Sequence, residues 1–184
     1  VAAIEREFSP EMSATYGMLD AIKSRIQGFS DSLPPRRNIF GDVVVLEGGL
    51  GPDIMSPIYT SAEKSTDTAQ VADEIVQQQV PLTMPVRTIN DVELTPQQYD
   101  RLIVLSSGKD NTMAQGVLLK DALKKEFKTS AYKKYTDGPD GAKALSIRSI
   151  VTAYKDSAKA QLLQEYPSLA NEVKASQIKD AEAL

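Results

Sequence analysis

The chain has 184 residues, with 21 Lys and Arg against 25 Asp and Glu for a formal charge of −4, and it contains no His, Cys or Trp. Such a length supports one domain, or one and a half. Without Cys or His there is no disulfide framework, thiolate nucleophile, Cys/His zinc site or Ser-His dyad, so an enzyme would need carboxylate acid/base chemistry, an oxygen-ligated Mg or Ca ion, or a Ser-Lys pair.

Leu, Ile, Val and Phe number 45, about 24% of the chain, which clears the composition of disordered proteins at this small net charge. Aromatics make up only 6%, so any core must be largely aliphatic. No apolar run approaches the roughly 18 residues of a membrane span, no signal peptide is recognised, and no membrane contact is expected of this segment. The start at Val1 rather than Met predicts a processed product or part of a longer polypeptide. Charge is unevenly spread. Residues 1–100 hold 7 Lys and Arg and 15 Asp and Glu, net −8, whereas residues 101–184 hold 14 and 10, net +4. Eight of the ten prolines precede residue 100, which denies the first half long helices because each proline lacks an amide donor and biases its predecessor toward extended backbone.

In chain order, Met12, Tyr16, Leu19, Ile22 and Ile26 recur at helical spacing and predict an amphipathic helix within residues 1–28, with Ser9 as N-cap, Pro10 at the first position and Gly28 near its end. Residues 29–93 read as an extended, Pro/Gly-rich arm. It has a short strand near 43–46 (Val43, Val44, Val45, Leu46), for which Ile58-Tyr59 or Pro85–Ile89 are the possible partners, and a short helix near 69–79. More than 40 mostly irregular residues suit a segment draped over its own protein or a neighbouring subunit. The remainder, 94–184, predicts a small helical bundle. Thr95-Pro96-Gln97-Gln98 has capping-box form and starts a helix to about Ser107, stopped by Gly108. Residues 111–127 predict a helix with Met113, Val117, Leu118, Ala122, Leu123 and Phe127 on one face. A turn at Asp137–Gly141 leads into a helix of more than 20 residues through Ala144, Ile147, Ile150, Val151, Tyr154, Ala158 and Leu162, which Pro167 ends or kinks before a last short helix over 168–182. The fold class is thus mainly α, a helical bundle plus an extended arm with at most a small β element.

Several patterns invite chemistry and are weighed against plainer readings. Gly48-Gly49-Leu50-Gly51-Pro52-Asp53 lacks the Lys-Ser/Thr of a phosphate loop, and Pro52 removes a donor where amides are wanted, so it reads as a turn. Asp137 and Asp140 could open a Ca loop, but position 12 is Arg148 rather than Glu, so this too reads as a turn. Ser107 and Lys109 have no spacing that a Ser-Lys mechanism demands. No catalytic, metal or cofactor site is expected. Pro34-Pro35-Arg36-Arg37 places two guanidinium groups on a proline-stiffened backbone suited to carboxylate pairing. With Phe40, Ile54, Tyr59, Pro85 and Arg87, these residues are the expected partner contacts. Lys120, Lys124, Lys125, Lys128, Lys133 and Lys134, interleaved with Phe127, Tyr132 and Tyr135, form the one basic cluster: a solvated helix face, a nucleic-acid contact, or a contact with the acidic half of another copy.

Four phrases, LPPRRNIFGD, GLGPDIMSPIYTS, MPVRTINDVELTPQQYDRLIVLSSG and AYKKYTDGPDGAKALSIRSIVTAYKDSAKAQLLQEYP, resemble in that order the C-terminal region of long internal virion, DNA-ejection or tape-measure-like proteins of tailed bacteriophages, over residues 10 to 168. The resemblance implies a structural role in the virion, with other copies of the chain and other portal, tail or ejection proteins as partners; DNA enters only as the partner that the basic cluster would take. It implies no enzymatic activity in this segment, although many such proteins carry a lytic transglycosylase domain far upstream.

Overall fold

In a computed structural model, the structure describes residues 34–43 and 66–183. The expected N-terminal helix, the glycine-rich turn at 48–53, Ile54 and Tyr59 lie outside the described residues, as does all but Val43 of the strand near 43–46. The described elements are α1 (Thr66–Gln77), β1 (Thr88–Ile89), β2 (Val92–Glu93), α2 (Pro96–Ser106), a 3-10 turn (Thr112–Ala114), α3 (Leu119–Phe127), α4 (Ser130–Lys133), α5 (Ala142–Glu165) and α6 (Pro167–Glu182). The protein is mainly α, a helical bundle with a two-stranded sheet.

Helix boundaries follow local chemistry. Thr95 Oγ1 accepts from the Gln98 amide at 3.2 Å while Gln98 Oε1 accepts from the Thr95 amide at 2.9 Å, so the capping box that starts α2 is complete. The 24-residue α5 stops at Tyr166, whose φ of −121° and ψ of 82° lie outside the helical region that a following proline disfavours, and Pro167 then takes the first turn of α6. The proline therefore ends one helix and begins the next.

Two local expectations are corrected. Thr88–Ile89 does not seek a distant strand. It pairs antiparallel with Val92–Glu93 through the two-residue turn Asn90-Asp91, both at positive φ (45° and 63°), the conformation that matches strand twist in a tight hairpin. The helix expected over 111–127 is broken. Asn111 Oδ1 accepts from the Met113 and Ala114 amides, Gln115 and Gly116 turn left-handed at φ 54° and 76°, and helix resumes only at Leu119, whose amide donates to Ser107 O at 2.8 Å. Asn111 offers the backbone an alternative to helix, and the break leaves Met113 and Val117 exposed rather than in the core.

The core has two clusters strung along α5. The first joins Ile39, Phe40, Val71, Ala72, Ile75, Val80, Leu119 and Leu123 to Ala144, Ile147 and Val151. The second joins Ile89, Leu94, Leu102, Leu105, Leu169 and Val173 to Ala158 and Leu162. The Pro/Gly-rich segment thus buries Ile39, Phe40, Val71, Ala72, Ile75 and Val80 in the same unit as the bundle. Residues 38–42 form a tight turn in which Asn38 Oδ1 accepts from the Phe40 and Asp42 amides. Gly41, at φ +80°, sits where a Cβ would come within 2.6 Å of Ser107 Oγ. Gly108 is tighter still: a Cβ there would meet Val117 O at 2.4 Å, at φ +87°.

Candidate functional site

The structure gathers several of the expected contact residues on the first turns of α2. Arg37 Nε donates to Asp100 Oδ1 at 2.8 Å and its Nη1 donates to Gly41 O at 3.0 Å. The Arg87 guanidinium lies over the ring of the neighbouring Tyr99, 4.7 Å from its centroid, and Tyr99 Oη donates to Pro85 O at 2.7 Å. Burial raises the Tyr99 phenol above its ordinary pKa, with the Arg87 charge opposing the shift. Residues 37 and 87, fifty positions apart, are therefore held on successive residues of one helix.

Around these anchors cationic and apolar side chains stand exposed, with Asp42 and Thr88 exposed beside them. Pro35 and Arg36 directly precede Arg37, Val43 is bridged to Arg37 through a single β-bridge, and Val86 (63% exposed) directly precedes Arg87, itself exposed. Pro34 is half-buried. Phe40 and Pro85 differ from expectation. Phe40 packs in the first core cluster and Pro85 is buried, so neither presents a surface to a partner.

The remaining polar groups form internal ties. Arg101 chelates Glu165, Nε to Oε2 and Nη2 to Oε1 at 2.8 Å each, and reaches Asp110 with Nη1 at 2.9 Å. The arginine hydrogen bond holds the Glu165 carboxyl below its ordinary pKa. Gln161 and Asn111 complete this network. Gln161 Nε2 donates to Asp110 O, and Asn111 Nδ2 donates to Leu105 O and Ser157 Oγ, which pins the 107–118 loop to α5. A second tie centres on buried Gln78, whose Nε2 donates to Glu74 Oε1 and Asp137 Oδ1 and whose Oε1 accepts from the Gly138 amide, each at 3.0 Å. Tyr132 Oη donates to Glu74 Oε1 at 2.8 Å; burial first, and that hydrogen bond second, raise its pKa. Lys143 Nζ donates to Asp137 Oδ1 at 2.8 Å and lowers that carboxyl. Asp137 thus serves the turn, and Ser107 is buried with its hydroxyl donating to Val104 O. Sequence reading misses the Gln78 tie because its long-range partners, the Asp137 carboxylate and the Gly138 amide, lie 59 and 60 residues away in an ordinary turn.

The six lysines lie on α3, α4 and their link. Lys125, Lys128, Lys133 and Lys134 are exposed, while Lys120 and Lys124 are half-buried. No group of acidic residues among the described ones could hold a metal ion, and no described helix is long and apolar enough to cross a membrane. Compared with known proteins, the chain matches no family model, no curated protein and no solved structure.

Proposed function

We propose that the chain is a structural component of a tailed-phage virion, the C-terminal module of an internal virion, ejection or tape-measure-like protein that acts by protein–protein contact in a multi-copy portal or tail assembly. The observation that carries the contact role is the α2 surface. There Arg36, Arg87, Pro35, Val43 and Val86 stand exposed on backbone fixed by the Arg37–Asp100 pair and the Arg87–Tyr99 stack. Arginine beside apolar side chains on a pre-set backbone is the composition of a protein interface, because the guanidinium pairs bidentately with carboxylates and little conformational freedom is lost on docking. The phage assignment rests on the ordered resemblance of the four phrases.

Mass spectrometry of purified virions of the encoding phage tests the assignment, which expects peptides of this chain in the particle. Arg36→Glu together with Val86→Glu, both at exposed positions that anchor nothing, should lower its incorporation at least tenfold while leaving thermal stability unchanged. Absence of the chain from virions refutes the phage reading, and normal incorporation of the double variant refutes the role of the α2 surface.

A further inference from the structure

We propose that the two-helix basic lobe, residues 119–134, binds the phosphate backbone of duplex DNA without reading its bases. Six lysines and only two acids lie in this stretch, a local charge of +4 that equals the whole excess of residues 101–184. The lobe is rigid. Thr129 Oγ1 donates to Glu126 O at 2.7 Å and accepts from the Tyr132 amide at 3.2 Å, locking the corner between α3 and α4. Beneath it Phe127, Tyr132 and Tyr135 pack in sequence, with ring centroids 5.0 and 6.1 Å apart.

The acids do not neutralise the exposed lysines. Glu126 accepts from Ser146 Oγ on α5 at 2.9 Å, which draws it toward the bundle. Asp121, in the first turn of α3, stands four residues before Lys125 without an ion pair to it, and about 10 Å along the axis from Lys128. Beyond the lobe, Glu74 of α1 accepts from Tyr132 Oη and Gln78 Nε2, Asp137 is taken by Lys143, and Asp140 is exposed. Lys125, Lys128, Lys133 and Lys134 make no ion pair among the described residues.

The composition favours DNA over an acidic protein. Protein interfaces deplete lysine and surround a central apolar patch, whereas no large apolar side chain is exposed within this lobe, and Val117 at 44% and Tyr135 at 38% flank it. Phosphate contacts need only point charges on flexible stems, and every neutralised phosphate releases counterions. The lobe is separate from the α2 surface, so this inference stands or falls independently of the contact role.

Fluorescence anisotropy of the full 184-residue chain with labelled random-sequence duplex DNA tests it. Engagement of about four phosphates predicts an affinity that falls roughly 10²-fold between about 50 and 200 mM salt, with little dependence on sequence. Reversing Lys125, Lys128, Lys133 and Lys134 to Glu should abolish binding at unchanged thermal stability. Lys174→Glu with Lys179→Glu, on α6, should weaken it less than threefold. No binding at about 50 mM salt, or equal loss in the α6 variant, overturns the proposal. It is overturned equally if the lobe variant binds DNA normally but loses self-association in sedimentation velocity, which makes the lobe a protein contact.

Discussion

The two core clusters share one helix but are recruited differently. The second draws on two stretches of chain, 89–105 and 158–173, each built from neighbours in sequence: a hairpin with a capped helix, and a helix pair. The first collects four separate stretches, around Ile39, Val71–Val80, Leu119–Leu123 and Ala144–Val151. Each added segment needs its own loop closure, so the first cluster rests on more long-range ties than the second, whose two stretches are themselves about fifty residues apart. Those ties are visible: Gln78 to Asp137 and Gly138, Tyr132 to Glu74, and Lys155 Nζ to Thr83 O. A proline-rich composition excludes long helices without excluding burial, and here it supplies half of a core.

The largest effects are expected from one cavity cut in each cluster. Ile75→Ala and Leu162→Ala each truncate a fully buried side chain, at a cost of about 2–5 kcal/mol. Because unbroken α5 runs through both clusters, each variant should shift one cooperative urea transition rather than split it; two separated transitions would show that the clusters unfold independently. Gly108→Ala comes next. It forces a Cβ against the Val117 carbonyl at positive φ, beside the loop that joins α2 to α3, and should cost more than about 1 kcal/mol in the same assay.

Thr95→Ala removes the cap and half the box of α2, within the locally built region. A loss of about 1 kcal/mol is expected, with early hydrogen exchange confined to the first turn of that helix. The smallest effect is electrostatic. Glu165 is held below its ordinary pKa, so its contribution is present above the unfolded carboxylate value of about 4.3 and is lost as pH falls through the lower folded value. Glu165→Gln should therefore flatten the acid limb of the melting-temperature profile below about pH 4 and cost under about 1 kcal/mol at neutral pH, since the pair with Arg101 is partly solvated. An unchanged acid limb would show that the chelate adds nothing to folding.

Much of the helical architecture was legible. The α2 start was readable from Thr95, Pro96 and Gln98, and the α5 stop from Pro167, because capping and proline geometry act over three or four residues. The hairpin was also written in Asn90-Asp91, a two-residue turn signal passed over in favour of a distant strand partner. The break at Asn111–Gly116 was harder. Apolar residues continue at helical spacing through Met113 and Val117, and only the capture of Asn111 by Leu105 O and Ser157 Oγ shows why the backbone leaves the helix. Of the candidate contacts, Arg36, Arg37 and Arg87 could be singled out by type. That Phe40 and Pro85 face inward could not, since an apolar residue in an irregular segment carries no period by which to orient it.

The sequence by itself determined the absence of His and Cys chemistry, the mainly helical class, the basic stretch on α3 and α4, and most helix ends, because these depend on composition and on contacts a few residues apart. Only the tertiary structure decided that Arg37 and Arg87 meet on successive residues of α2, that Gln78 ties α1 to the Asp137 turn, and that the proline-rich segment completes the first core cluster. Each joins residues fifty or more positions apart, and the free energy that selects such a pairing comes from burial and hydrogen bonds made only once the whole unit has closed.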